Sequence, residues 1–386
     1  MWLKRAQEIA SLAGIREVRE ITGADSLGVS VFVSVRPMAL GESFTFGKGL
    51  DPLDAQVGAY MEAIEYYYAE PGTGRVQTQW GTPRDVVGSD DREDAILDFV
   101  PMIHREAFLD RPLLLAVAND LATGEPGFIP AELVFCPAPP VGQSLFGSST
   151  NGLASGNSLI DASIQSLLEL IERDIWSFEM IHGTSVLVNE STLPDSVRLI
   201  IEQATQGGLT LKIRTVPNDY EIPFFAAFVF DERNPALSTF NGGWGCDLSR
   251  HRALIRAVTE AAQSRVAFLD GGRRIPKMSR SPSTSQDVKL VQRHMRGVSD
   301  SSGQISLEEI PDQMVDGSLD RQMAAVIACL RKVVDASVFR VIYTPSGAPI
   351  QVVRLIVPFL ENLKFTRMRV GRRLKAAIDR MAVPAN

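Results

Sequence analysis

Histidine and cysteine are scarce in this chain. Its 386 residues include four histidines and three cysteines, and no HxH, HxxxH or CxxC spacing occurs among them. The cysteines are odd in number and far apart, which excludes a disulfide framework or a structural zinc site and indicates a reducing compartment. The four histidines are not spaced as metal ligands, so any catalytic metal must be held by carboxylates.

Long apolar runs and basic clusters are also missing. The most apolar stretches, 113–118 and 222–230, are far shorter than the ~20 residues of a membrane-spanning helix, and the N-terminus carries charges instead of an apolar signal segment. With 39 basic against 46 acidic side chains, the net charge of −7 opposes binding to nucleic-acid phosphates. We therefore expect a cytoplasmic protein that binds neither a membrane nor a nucleic acid.

The sequence does contain enough apolar material for a large core, since 45% of its residues are hydrophobic. No internal repeat or linker divides it, so we expect one domain over residues 1–386 with no fused partner domain. Helical periodicity predicts long helices at 54–70, 159–181 and 249–269. Strand-like runs complete an α+β pattern, and they occupy residues 29–36, 43–50, 209–216, 224–230, 337–344 and 350–357.

Glycine-rich stretches precede each of the three long helices. Gly47 and Gly49 are predicted to turn the chain at the end of the run 43–50, and residues 148–157 are predicted to turn before the second helix. Residues 242–246 form a third glycine-rich stretch. None of them matches GxxxxGK[ST], so the sequence has no Walker-type phosphate loop.

The most informative feature is the position of ionisable side chains inside apolar helices. Each long helix carries one pair on one face: Glu62 with Glu65, Glu169 with Glu172, and Arg256 with Glu260. Burying an unpaired carboxylate costs several kcal/mol, so such acids need arginines or metal ions as partners. Mg²⁺ together with nucleotide phosphates satisfies this chemistry. An ordinary exposed or salt-bridged helix face stays open as the alternative.

Four sequence blocks occur in order along the chain: GKGLDPLDAQVGAYMEAIE (47–65), STNGLASGNSLIDASIQSLLELIERD (149–174), RALIRAVTEAAQSR (252–265) and VVRLIVPFLE (352–361). They resemble the successive motifs of the YcaO-domain family. The second block is the most specific, because GNxxxxAxxQxxxELIERD combines many fixed positions. The resemblance extends from about residue 14 to residue 373.

The resemblance implies a YcaO-type α+β fold, with mixed β-sheets packed against long helices that carry an ATP and Mg²⁺ site. It implies an ATP-dependent enzyme that phosphorylates a peptide backbone amide oxygen. Attack by a neighbouring Cys, Ser or Thr side chain then gives an azoline, whereas attack by sulfide gives a thioamide. By the same resemblance, the Mg²⁺ ligands are expected to be Glu62, Glu65, Glu169, Glu172 and Glu260, and the ATP contacts Asn157, Gln165, Arg173 and Arg256.

The chain departs from the family pattern at several positions. Gly58 stands for a Ser, Tyr66 for an Arg, Asp161 for a Glu and Phe359 for a Gly. The C-terminal sequence MAVPAN also lacks the PxPxP tail of many azoline-forming members. These departures keep a non-catalytic, ATP-binding scaffold subunit open as an alternative function.

The resemblance also implies partners. The substrate is expected to be a precursor peptide, matured after ribosomal synthesis, and a separate partner protein of the activating-enzyme-like ocin-ThiF type or of the TfuA type is expected. A homodimer is left open. We take azoline formation as the leading prediction and thioamide formation with a TfuA-type partner as its alternative.

Overall fold

Helices and strands are mixed along the described parts of the chain. The structure is a computed structural model that describes residues 2–86, 99, 111–141, 145–270, 285–315, 317–363 and 370–382. The described helices are α1 (Trp2–Ala10), α2 (Pro52–Ala69), α3 (Ala131–Val134), α4 (Leu159–His182), α5 (Asp195–Gln206), α6 (Arg250–Leu269), α7 (Ser285–Ser299), α8 (Leu319–Arg331) and α9 (Arg372–Ala382). The described strands are β1 (Glu17–Glu20), β2 (Ser30–Val35), β3 (Phe44–Gly49), β4 (Thr78–Gly81), β5 (Leu113–Asp120), β6 (Pro126–Pro130), β7 (Leu153–Gly156), β8 (Val186–Val188), β9 (Thr210–Thr215), β10 (Phe224–Phe230), β11 (Phe240–Cys246), β12 (Gln304–Ile305), β13 (Phe339–Ile342) and β14 (Gln351–Ile356).

The chain divides into two compact units. Unit 1 comprises Met1–Met38, Glu42–Ala63 and Thr184–Asp316, whereas unit 2 comprises Ala39–Gly41, Ile64–Gly183 and Gly317–Asn386. Helix α2 begins in unit 1 and ends in unit 2. The single domain expected from the sequence stays a prediction. Among the described residues, no helix combines the length and the apolarity needed to cross a membrane.

Unit 1 contains two sheets. An antiparallel sheet has the order β1-β2-β3, and a second sheet has the order β11-β10-β9-β8-β12, in which only β12 and β8 pair in parallel. Every residue of β10 is buried. Phe225, Ala227 and Val229 lie on one face of β10 and share a core with residues of α5 and α6. Helix α6 is thus fixed against the second sheet.

Unit 2 is built around one antiparallel sheet. Its strand order is β4-β5-β13-β14-β7, and β6 pairs with the other edge of β5. Helix α4 packs against β7 and β14 and also contacts α8. Most of its side chains are buried, which explains why the sequence of α4 has no clear polar face.

The long helices begin where the sequence predicts. Asp51 Oδ1 accepts a hydrogen bond from Leu53 N at 2.7 Å, and Pro52 follows as the first residue of α2. Helix α4 ends at Gly183, whose φ of +61° is the left-handed conformation of a C-terminal cap. The turn predicted at Gly47 and Gly49 is wrong, because β3 continues through both residues.

Candidate functional site

Strand β3 holds two of the predicted acids of unit 1. The backbone N of Phe46 donates a hydrogen bond to Glu62 Oε2 at 2.6 Å, and Lys48 Nζ forms a salt bridge of 2.7 Å with Glu260 Oε2. Glu62 belongs to α2 and Glu260 to α6. One short strand therefore orients carboxylates from two helices.

Glycines allow β3 to lie directly against α2. A Cβ on Gly47 would stand 1.9 Å from the carbonyl oxygen of Ala55, and a Cβ on Gly58 would stand 3.3 Å from the Cα of Gly47. Any side chain at position 47 would push the helix away from the strand. The Gly that replaces the family's Ser at position 58 thus sits at the closest approach of helix and strand.

Strand β11 approaches α6 in the same way. A Cβ on Gly243 would lie 2.1 Å from Ala261 N, and one on Gly245 would lie 2.1 Å from the carbonyl oxygen of Ala253. The glycine-rich stretch 242–246 of the sequence analysis is therefore a strand that supports α6. Arg256 and Glu260 lie one turn apart on this helix, and both are half-buried.

The second glycine-rich stretch directly precedes α4 in unit 2 and lies against its first turn. Most of its last part is strand β7 rather than the predicted turn, and a Cβ on Gly156 would lie 2.5 Å from Ala162 N. Ser158 caps the helix by accepting a hydrogen bond from Asp161 N, while Asp161 Oδ2 accepts one from Asn157 N at 2.9 Å. The shorter acid at position 161 is engaged in this reciprocal cap, and Asn157 itself is exposed.

Helix α4 carries predicted site residues of the second block, and their side chains are buried to different degrees. Gln165 and Glu169 are half-buried, whereas Glu172 is only 3% exposed. Arg173 Nη2 lies 3.9 Å from Glu172 Oε1, which is a long contact for an ion pair. A carboxylate at this depth needs compensating charge, so the apolar setting expected from the sequence is confirmed for Glu172.

Glu65 is the remaining predicted acid of unit 2. Its Oε1 accepts a hydrogen bond of 2.5 Å from Ser155 Oγ on β7. Neither Ser155 nor Lys48 was predicted from the sequence as a partner of these acids. The sequence offered a signal for Lys48, a lysine that lies between two glycines in the first block, but it offered no signal for Ser155.

Another face of α4 fastens the chain that follows β14. Asp174 Oδ1 accepts hydrogen bonds from Glu361 N and from Arg373 Nη1, each at 2.7 Å. Burial raises the pKa of the Glu361 carboxyl above its ordinary value, although the N–H groups of Leu374 and Gly371 oppose that rise. The end of β14 and the start of α9 are thus tied to the helix that bears Glu169 and Glu172.

The donor set of both units suits Mg²⁺. Carboxylate and amide oxygens are the ligands that this ion prefers, and it usually takes one or two carboxylates together with substrate phosphates and water. In the part of the chain that the structure describes, no three His, Cys, Asp or Glu side chains form a group that could hold a metal by themselves. The individual ligand assignments stay predictions.

A family model covers most of the chain. The model described as YcaO cyclodehydratase, ATP- and Mg²⁺-binding, matches residues 46–361. The chain belongs to the YcaO family. The match confirms the resemblance seen in the four sequence blocks, and ATP and Mg²⁺ are the ligands that the family description names.

The chain is also similar to two proteins by sequence and to one solved structure by fold. An uncharacterized protein from Methanothermobacter thermautotrophicus is 35% identical and covers 97% of each chain. An uncharacterized protein in the tfuA 3′ region of Rhizobium leguminosarum bv. trifolii is 28% identical, over 90% of this chain and 84% of its own. The structure of YcaO from Methanopyrus kandleri, bound with AMPPCP and Mg²⁺, superposes with a TM-score of 0.73 at 23% identity and covers 94% of this chain and 92% of that one. The superposition confirms the predicted α+β YcaO-type fold.

Proposed function

We propose that this chain uses ATP to phosphorylate the backbone amide oxygen of a peptide and thereby drives azoline formation by cyclodehydration. The observation that carries the proposal is the burial of Glu172 on α4, inside the ELIERD block that marks the family. A carboxylate held this deep on a helix rich in predicted phosphate contacts suits a Mg²⁺-nucleotide site.

Each predicted residue receives a role in this proposal. Bound Mg²⁺ would neutralise phosphate charge, and its ligands would be Glu62, Glu65, Glu169, Glu172 and Glu260. The nucleotide and its phosphates would contact Asn157, Gln165, Arg173 and Arg256. Lys48 holds Glu260 in place at 2.7 Å and adds one positive charge beside that acid.

The chemistry requires little beyond positioning and charge neutralisation. The amide oxygen bonds to the terminal phosphorus of ATP, and ADP leaves. A neighbouring Cys, Ser or Thr side chain then adds to the amide carbon and loses its thiol or hydroxyl proton, phosphate leaves with the former amide oxygen, and loss of the amide proton completes the ring. The sum is the loss of one water from the peptide. Phosphoryl transfer of this kind depends mainly on preorganised charge, which acids with Mg²⁺ and arginines provide.

A second candidate product is a thioamide. The relative located in a tfuA 3′ region favours it, because the resemblance links members of that kind to a TfuA-type partner protein. The first step is the same, and sulfide then replaces the intramolecular nucleophile. Under either candidate we propose a precursor peptide as substrate and a separate partner protein.

ATP hydrolysis tests the shared step. Phosphate release is measured with the chain, the precursor peptide and the partner protein, singly and combined. Replacement Glu169→Ala is expected to lower the rate at least ~100-fold, because the loss of a proposed Mg²⁺ ligand weakens the neutralisation of charge in the transition state. Glu202→Ala, on an exposed face of α5, is the matched control and is expected to leave the rate unchanged.

The outcome discriminates among the three functions. No phosphate release in any combination, with wild type and Glu169→Ala alike, would leave only the scaffold function. Mass spectrometry of the peptide separates the two enzymes, because cyclodehydration removes the mass of one water and thioamide formation adds the difference between sulfur and oxygen.

A further inference from the structure

Lys48 lies on the strand that contacts both predicted acids of unit 1. Phe46 is on the same face of β3 and packs in a core with Val266 of α6. The opposite face of β3 lies against α2, because a Cβ on Gly47 would stand 1.9 Å from the carbonyl oxygen of Ala55. Packing on both faces therefore fixes the backbone of Lys48, and its side chain extends toward α6.

The carboxylate that Lys48 contacts is also rooted in a packed element. Lys48 Nζ lies 2.7 Å from Glu260 Oε2, the distance of a direct ion pair. Strand β11 supports the backbone of Glu260, since a Cβ on Gly243 would lie 2.6 Å from the Glu260 carbonyl carbon. The Lys48 and Glu260 side chains are 25% and 22% exposed, so water screens the pair only in part. The pair is thus a feature of the packing around α6.

An ammonium at this position competes with a metal ion for the carboxylate. Glu260 is a proposed Mg²⁺ ligand, and its Oε2 already contacts the Lys48 ammonium. A divalent cation on the same oxygen would place two cations in contact with one atom, and such charges repel strongly in a partly buried site. Phosphate groups remove this conflict, because they can accept both Mg²⁺ and a lysine ammonium.

Lysine is suited to a contact that changes partners. Its ammonium is carried on a flexible four-carbon stem, so it can exchange one acceptor for another without a movement of the strand. An arginine would hold a carboxylate with a rigid, planar fork. Glu62 does not depend on this exchange, because its Oε2 accepts a hydrogen bond from the backbone N of Phe46 at 2.6 Å.

We infer that Lys48 makes divalent metal binding at Glu260 conditional on the nucleotide, which rests on the proposed function for the assignment of Glu260 to Mg²⁺. Without nucleotide, the ammonium occupies Glu260 and disfavours a lone divalent cation. With nucleotide phosphates present, the ammonium pairs with a phosphate oxygen and releases the carboxylate to the metal. Lys48 is therefore a positioning residue that couples the binding of the two ligands.

Mn²⁺ binding to the full chain without nucleotide tests this role. Mn²⁺ takes the same oxygen ligands as Mg²⁺, and electron paramagnetic resonance measures the free ion. Lys48→Met is expected to tighten Mn²⁺ binding at least about tenfold, the size of effect that one neighbouring like charge has on an ionic equilibrium. Met keeps an unbranched stem against α6, so the variant is expected to fold.

Matched variants assign the effect to one contact. Lys48→Arg keeps the charge and should bind Mn²⁺ as weakly as wild type. Lys212→Met removes a half-buried lysine from β9 of the same unit and should leave Mn²⁺ affinity unchanged. Adding Glu260→Gln to Lys48→Met should cancel the gain, because the released carboxylate is lost. With AMPPCP present, the advantage of Lys48→Met over wild type should disappear.

Three results would overturn the role of Lys48. The first is a Lys48→Met variant that binds Mn²⁺ no better than wild type, which includes no detectable binding to either. The second is an equal gain in Lys212→Met, and the third is a gain that survives Glu260→Gln. Failure of the proposed function would appear instead as no ATP hydrolysis by wild type, and the Mn²⁺ measurements do not depend on that reaction.

Discussion

The two units hold their predicted ligands by different means. In unit 1, Glu62 and Glu260 are half-buried, and β3 meets them with a backbone N–H and with the Lys48 ammonium. In unit 2, Glu172 is 3% exposed and lies 3.9 Å from Arg173. In unit 1 the Lys48 ammonium thus lies against the half-buried Glu260, whereas in unit 2 Glu172 lies at much greater depth beside Arg173.

One ion pair from each unit illustrates a difference in burial. Arg19 and Asp270 of unit 1 pair at 3.0 Å with side-chain exposures of 42% and 18%. Asp174 and Arg373 of unit 2 pair at 2.7 Å, and the Asp174 side chain is only 1% exposed. These two pairs differ in burial, so removing Asp174 should be more damaging than removing Asp270, although unit 1 also contains a buried pair, Asp25 with Arg265 at 3.1 Å.

The largest expected effect is the loss of Asp174. Replacement Asp174→Ala should lower the free energy of unfolding by about 3–5 kcal/mol, because Arg373 and the N–H of Glu361 lose a buried acceptor. The matched variant in unit 1, Asp270→Ala, should cost at most about 1 kcal/mol, since its ion pair is screened by water. Urea unfolding of both variants measures the difference. Equal costs would mean that the two units do not differ in this respect.

The sequence predicts much of this architecture where local signals are strong. Helix α4 was expected at 159–181 and spans Leu159–His182, because an apolar run starts after the Ser158 cap and stops at Gly183. The burial of Glu172 also follows from its apolar neighbours on the helix. Both features depend on contacts within a few residues.

Other features depend on distant partners and had no local signal. Residues 242–246 form a strand because Gly243 lets α6 approach within contact of the backbone, and no pattern inside GGWGC encodes that helix. The bond from Ser155 to Glu65 joins residues 90 positions apart. Which acid meets which partner is therefore a property of the packed unit and not of a motif.

A medium effect is expected at the two non-glycine residues with positive φ among those described. Phe359 of unit 2 has φ +72° and Glu221 of unit 1 has φ +52°. At each position the Gly variant should be more stable than the Ala variant by about 1 kcal/mol, because only Ala keeps the left-handed strain. Thermal unfolding of the four variants measures both differences. An Ala variant at 359 as stable as the Gly variant would show that the backbone there is unstrained.

The smallest effect concerns pH, and its sign should differ between the units. Burial raises the pKa of Glu361 in unit 2 above 4.5, so the stability linked to this group is fully present below pH 4.5 and is lost as pH rises through the folded-state pKa. In unit 1, the backbone N–H of Ser302 lowers the pKa of Asp300 below 3.8, so its contribution is present above pH 3.8 and is lost as pH falls through the folded-state pKa.

Two amide variants measure these opposite slopes. Glu361→Gln resembles the protonated acid, so its unfolding midpoint in urea should match wild type below pH 4.5 and rise relative to wild type toward neutral pH. Asp300→Asn should instead fall behind wild type above pH 3.8, by a small amount because this carboxylate is exposed to water. If both variants drift in the same direction as pH rises, Glu361 is not held at a raised pKa, and the contrast between buried charge in unit 2 and solvated charge in unit 1 fails at this position.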